Sequence, residues 1–229
     1  MEHATLASAT GESQPGDRPL RRDAERNRQR ILEAARELFA QRGLAVTLND
    51  VAHHAGVGVG TVYRRFPDKA RLIDELFEQR LAELEALLQE AIDDTDPWHG
   101  LKRFLQRSLA MQAADCGLKD LMTGMPDGVD RVCRIRDRLL PMAADLVSRA
   151  QAAGTLRGDI SPQDVPALQL MLGTLIDATR DVAPDLWRRY LALLIRGMAA
   201  TGHDEQPLPV GPLTPDQVGH VMSHRKSRR

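Results

Sequence analysis

The chain has 229 residues, enough for one or two domains with a real hydrophobic core, which excludes a mini-protein that needs staples. Hydrophobic residues at 42% and charged residues at 28% exclude a wholly disordered chain, and 3% aromatic residues are too few for a large β-sandwich or barrel. The formal net charge is −1, with 31 Lys and Arg against 32 Asp and Glu, so the chain as a whole lacks the basic excess of a nucleic-acid binder.

Residues 1–20 mix Ser, Thr, Gly, Pro and acids with no apolar period, and a disordered tail is expected there. From Arg22 to Arg42, Ile31, Leu32, Ala35, Leu38 and Phe39 recur at three- and four-residue spacing, which predicts an amphipathic helix closed by Gly43. Thr47-Leu48-Asn49-Asp50 has the form of an N-cap with an acid at N3, opening a short helix with Leu48, Val51, Ala52 and Ala55 on its inner face. Gly56 ends it. A third short helix runs from Val59 to Phe66, and Pro67-Asp68 opens a long one whose apolar period continues from Leu72 to Ala91.

Beyond the acidic break Asp93-Asp94-Thr95-Asp96-Pro97, helices are predicted at about 98–115, 118–124, 128–153, 162–181 and 185–200. Residues 202–229 hold prolines at 207, 209, 212 and 215 and end in Arg225-Lys226-Ser227-Arg228-Arg229, and a flexible tail is expected. The expected fold is all-α with about nine helices: a helix-turn-helix domain over 21–67, then a helical ligand-binding and dimerisation domain over 68–201.

Cys116 and Cys133 have neither CxxC nor zinc spacing, so two reduced thiols are expected and no metal site. No apolar run is long enough for a membrane span and no signal-peptide pattern opens the chain, so a cytoplasmic protein without membrane contact is expected.

The chemistry lies around residues 47–69. Ala52 is small where a third helix must cross, Gly56 supplies a turn with φ > 0, and β-branched Val62 fills the angle between two helices. This is the spacing a helix-turn-helix requires. The outer face of the second helix, with Val59, Gly60, Thr61, Tyr63, Arg64 and Arg65, is the candidate reader of a DNA major groove. Competing chemistries fail. Gly56-Val57-Gly58-Val59-Gly60 lacks the GxGxxG pattern and the P-loop lysine, adjacent His53 and His54 diverge on a helix, and no triad or nucleophile elbow is present. Neither an enzyme nor a cofactor is expected.

Residues 55–69, AGVGVGTVYRRFPDK, preceded by ILEAARELFAQRG and TLNDVA, strongly resemble the DNA-binding region of TetR-type bacterial transcriptional regulators. The resemblance covers 22 to about 76. It implies a DNA-binding three-helix unit, a bundle that holds a small-molecule inducer, and a homodimer formed by the last two helices of that bundle. Position by position, Thr47 matches the cap beside a phosphate and Asn49 lies on the exposed side of its helix. Val59, Gly60, Thr61 and Arg64 match the base-facing positions, and Tyr63 and Lys69 the phosphate clamps. Arg64-Arg65 stand where many members carry aromatic or His residues.

In the bundle, Met111, Met122, Met125, Met142 and Met171 with Phe104 occupy segments that would surround an inducer cavity, with Ser108, Gln112, Arg136 and Thr174 as polar handles; at any single position such a stripe is more often plain core. Leu168, Leu172, Leu175, Tyr190, Leu193 and Leu194, interrupted by small residues, fit either an intramolecular core or a two-fold interface, and the resemblance favours the dimer. The expected function is a DNA-binding regulator, most simply a repressor released from a near-palindromic double-stranded operator by a ligand. The alternative is a helical ligand-binding or interaction module with no DNA role.

The charge sum then takes on a different meaning. Residues 20–71 hold 11 basic and 6 acidic side chains, a net of +5, so the remaining 20 basic and 26 acidic residues leave −6 elsewhere.

Overall fold

The computed structural model describes residues 17–114, 128–200 and 208–223. Among them are nine α-helices: α1 (Asp17–Arg42), α2 (Leu48–Ala55), α3 (Val59–Arg65), α4 (Lys69–Ile92), α5 (Pro97–Ala114), α6 (Gly128–Ala152), α7 (Asp164–Thr179), α8 (Leu186–Met198) and α9 (Pro215–Ser223). The β pairing among these residues is a single bridge, Leu156 with Ala199, which ties the α6–α7 connection to the end of α8. The expected all-α class holds. The helix expected at 118–124 lies outside the described residues.

Two hydrophobic clusters organise the chain. The first gathers Ile31, Leu32, Ala35, Leu38 and Phe39 of α1 with Leu48, Val51, Ala52 and Ala55 of α2, Val62 of α3, and Leu72, Ile73 and Leu76 of α4. The second joins Leu87 and Leu88 of α4 with Leu101, Phe104 and Leu105 of α5, Leu146 and Val147 of α6, Leu172 and Ile176 of α7, and Trp187 and Leu191 of α8. The N-terminal core therefore runs past the expected limit at residue 67 to Leu76. One continuous helix, α4, is built into both cores. At its far end α5 crosses so closely that a Cβ on Gly100 would lie 2.3 Å from the carbonyl oxygen of Ala91, a contact only glycine permits.

Parts of both expected tails are helical. α1 begins at Asp17 because Pro19 falls in its first turn, where backbone N–H groups have no helical acceptor and a missing one costs little. The Pro-rich stretch after residue 207 contains α9, with Pro215 as its first residue. Thr214 N donates to Gln217 Oε1 at 2.9 Å and Gln217 N to Thr214 Oγ1 at 3.2 Å, a reciprocal cap that starts the helix.

Candidate nucleic-acid interface and bundle cavity

The reading head is held by local chemistry at three points. Thr47 Oγ1 accepts from Asp50 N at 3.2 Å, and Thr47 N donates to the Asp50 carboxylate at 2.8 Å, closing a capping box at the start of α2. The Thr47 hydroxyl also donates to that carboxylate, which holds the Asp50 carboxyl below its ordinary range. At the other end of α2, Gly56 sits at φ +62°, the left-handed conformation that turns the chain into α3. Arg30 of α1 donates from Nη2 to the carbonyls of Ala55 (2.6 Å) and Gly56 (3.2 Å), placing a cation on the C-terminal end of α2. Sequence patterning missed Arg30, because nothing in α1 alone reveals that its side chain reaches a turn 25 residues on.

α3 buries Val62 against this frame. At 100° per residue, Gly60 and Arg64 then lie on the opposite side, both exposed, and Thr61 is half-buried on a flank. A Cβ on Gly60 would meet nothing within 4 Å, so packing does not require glycine there. Val59 and Tyr63 are exposed apolar or amphipathic side chains at the start and flank of the helix. Thr47 and Asn49 are exposed on α2. Arg65 lies on the other flank from Tyr63 and lines a cleft with Arg71, Asp74, Glu75 and Glu78 of α4 and Arg134 of α6. Lys69, the first residue of α4, sits half-buried with Nζ 5.6 Å above the Phe39 ring, and desolvation there pushes its pKa down.

The same division into head and bundle appears in known proteins. Residues 31–76 match the family of bacterial regulatory proteins of the tetR type, and residues 96–200 match the C-terminal domain of SbtR-like transcriptional regulators. A TetR transcription regulatory protein from Mycobacterium vanbaalenii is 31% identical with a TM-score of 0.62, over 79% of this chain and 99% of that one. The chain belongs to the TetR family.

As a TetR-family member the chain carries a helix-turn-helix DNA-binding region, and the family match to it spans residues 31–76, from within α1 into α4. An HTH-type transcriptional regulator of Staphylococcus aureus is 34% identical over 91 residues, 39% of this chain and 48% of that protein, so the chain spans about half the length of the curated relatives it matches. SmeT, the repressor of the Stenotrophomonas maltophilia multidrug efflux pump SmeDEF, is 22% identical with a TM-score of 0.59, over 80% of this chain and 97% of its own, a likeness of fold. No helix among the described residues is long and apolar enough to cross a membrane.

The TetR-type bundle contains an apolar cavity lined by Leu88 of α4, Phe104 of α5, Ile135, Arg136, Leu139, Leu140 and Ala143 of α6, Val165, Pro166 and Gln169 of α7, and Val218 of α9. Of the residues expected around an inducer, Phe104 and Arg136 line it. Ser108 is buried one shell out, donating to Leu105 O and accepting from Gln169 Nε2 at 2.9 Å. Met111 and Met142 pack against the second core, and Gln112 lies against Gly173 where α5 meets α7. Met171 is 54% exposed and Thr174 is exposed, its hydroxyl donating back to Leu170 O, so neither faces the cavity; their turn of α7 looks outward. Met122 and Met125 lie outside the described residues, as does Cys116. The apolar lining of α6 escaped the sequence reading, because a helix stripe looks the same whether it meets a neighbour or a gap.

The proposed pairing face divides in a similar way. Tyr190 and Leu193 of α8 are exposed, while Leu168, Leu175 and Leu194 are half-buried against the second core. Leu172 is only 3% exposed, packed inside its own chain. It belongs to the intramolecular core and is not available to a partner; exposed Met171 is the neighbouring apolar group that is.

Ion pairs along α4 add to the connection between bundle and head. Arg131, 1% exposed, donates from Nε (3.1 Å) and Nη2 (2.7 Å) to Asp74 Oδ1. Arg134 pairs with Glu78 at 2.7 Å, and Arg138 with Glu78 at 2.9 Å and Glu85 at 2.5 Å. The neighbouring α4 positions turn the other way, Glu75 pairing with Arg28 and Glu83 with Arg36 of α1.

Proposed function

We propose that the protein is a cytoplasmic, homodimeric, ligand-responsive transcriptional repressor and not an enzyme. In this reading two α3 helices read a near-palindromic operator, with Arg64, Thr61 and Gly60 at base edges and Thr47, Tyr63 and Lys69 on phosphates. The observation that carries it is α3 itself: buried Val62 holds it on a capped, Arg30-braced frame, and its opposite side presents a guanidinium beside an open glycine on a unit of net charge +5. A guanidinium suits the guanine O6/N7 edge, and hydroxyl and ammonium groups suit phosphate. The repressing sense is taken from the likeness to SmeT. Exposed Met171, Tyr190 and Leu193 supply an apolar face for the two-fold partner.

The route from ligand to DNA follows shared helices. α6 lines the cavity through Ile135, Leu139 and Ala143 and bonds α4 through Arg131, Arg134 and Arg138. Leu72, Ile73 and Leu76 of α4 share a core with Val62 of α3. A ligand that favours one setting of α6 thereby favours one setting of α3, and it shifts operator affinity by its differential affinity for the two settings, typically about 1–3 kcal/mol.

Selection of bound duplexes from a randomised library by the purified protein tests the reading, and a near-palindromic motif with salt-dependent binding is expected. On the selected duplex, Arg64→Ala should cost about 1–3 kcal/mol and relax preference at one base position. No enriched motif, and no salt-dependent duplex binding, would leave a helical ligand-binding module with no DNA role.

A further inference from the structure

The bundle cavity is too small for the ligands such sites accept. Its volume is about 60 Å³, whereas pockets that bury a drug-sized molecule measure about 300–1,000 Å³. Long helices of the bundle supply most of its wall. The exception is Val218 of the nine-residue α9, 4% exposed with its side chain in the cavity lining.

On the other side of α9 the space is large. Pro215 and Asp216 border a surface groove of about 540 Å³ with Asp137, Pro141 and Pro162, and Arg136 and Leu140 line both groove and cavity. α9 therefore borders both spaces. It packs along α6 and touches α7, but it puts few apolar side chains into the core. A nine-residue helix is marginal by itself, Pro215, Asp216, Gln217, His220 and Val221 are exposed, and Val218 is its one buried apolar side chain among the described positions. Among the polar ties of the segment, Leu208 N donates to Asp159 Oδ2 at 3.1 Å, and Arg136 Nη1 lies 3.5 Å from the fully solvated Asp216 carboxylate.

We propose that α9 is a built-in plug of the cavity, and that a ligand enters by displacing Val218 and opening the cavity into the groove. This rests on reading the cavity as the ligand site. The plug lowers apparent affinity by the fraction of chains in which α9 is docked. It also selects ligand chemistry: an apolar body against Phe104, Leu139 and Val165, and an acceptor or anionic group that takes the place of Asp216 at Arg136 Nη1.

The test uses the full-length protein and the neutral fluorophore N-phenyl-1-naphthylamine, by equilibrium titration and stopped-flow association. Val218→Ser should tighten binding and speed association, roughly tenfold or more. Asp159→Ala, which unties the start of the segment along with the local Arg157 pair, should move both in the same direction while Arg157→Ala leaves them unchanged, and Val218→Trp should move them in the opposite one. Leu139→Gln, in the cavity wall, should weaken binding. A response to Leu139→Gln with none to Val218→Ser or Asp159→Ala overturns the plug and leaves the cavity standing as the ligand site. No response to Leu139→Gln places the probe elsewhere and overturns both. Should Val218→Ser fail to fold, the opposed shifts of Asp159→Ala and Val218→Trp decide the matter.

Discussion

Removing the Asp74 carboxylate should destabilise the protein far more than removing any other acid of the α4–α6 ladder. The Arg131 side chain is 1% exposed and donates twice to Asp74, itself 33% exposed. Breaking a fully buried pair by deleting one partner costs about 3–5 kcal/mol, because a charge is left buried without compensation. Water can reach the space left by a carboxylate that is one-third exposed, and Arg131 keeps an interaction besides Asp74, so Asp74→Ala falls near the lower end, at about 2–3 kcal/mol. Glu85 and Arg138 are 27% and 41% exposed, and a pair so placed is worth about 0–1 kcal/mol. For a chain of this size each kcal/mol moves Tm by about 2–4 °C. Calorimetric melts at one fixed protein concentration should therefore show a drop of about 4–12 °C for Asp74→Ala and less than about 4 °C for Glu85→Ala. The double variant Arg131→Met/Asp74→Leu should recover most of the loss, since replacing both members of a buried pair by apolar groups is often neutral. Equal melting of Asp74→Ala and Glu85→Ala would refute the argument that burial decides the difference.

Two further outcomes follow from the same geometry. Arg30→Ala removes the cation from the end of α2, costing about 1 kcal/mol of stability and weakening duplex binding without altering its salt slope; a slope reduced by about one would make Arg30 a phosphate contact instead. The Asp159 carboxyl, bonded first by Arg157 and also by Leu208 N, is held at about 2 against an ordinary 3.8. A lowered folded-state pKa contributes stability that is complete above about 4 and lost as pH falls towards 2. An NMR titration should find that midpoint, with Arg157→Ala returning it towards 3.8; a wild-type midpoint already at 3.8 would refute the assigned contacts.

The reading head was legible because each of its devices is local. A Thr with an acid three residues on, a glycine at the turn and a β-branched residue six positions later specify two short helices and their crossing with no help from distant chain. The same rule was present but hidden at Thr214-Pro215-Asp216-Gln217, where four prolines within nine residues suggested a tail although a capping box stood among them. The bundle gave way to no such reading. Leu168, Leu172 and Leu175 form one stripe at three- and four-residue spacing, yet Leu172 lies inside the second core while its neighbours are only half covered against it. Met171 looked like a cavity residue by type, and its position on the helix turned it outward.

Sequence alone determined the elements, the sign of charge on each unit, and the face that α3 shows to solvent, all of them consequences of residues within a turn or two of one another. Only the tertiary structure decided which charges are buried, how large the cavity is, and that Val218 closes it. Those are properties of the space left where separate helices meet, and a helix carries the same stripe whether a partner fills that space or leaves it open.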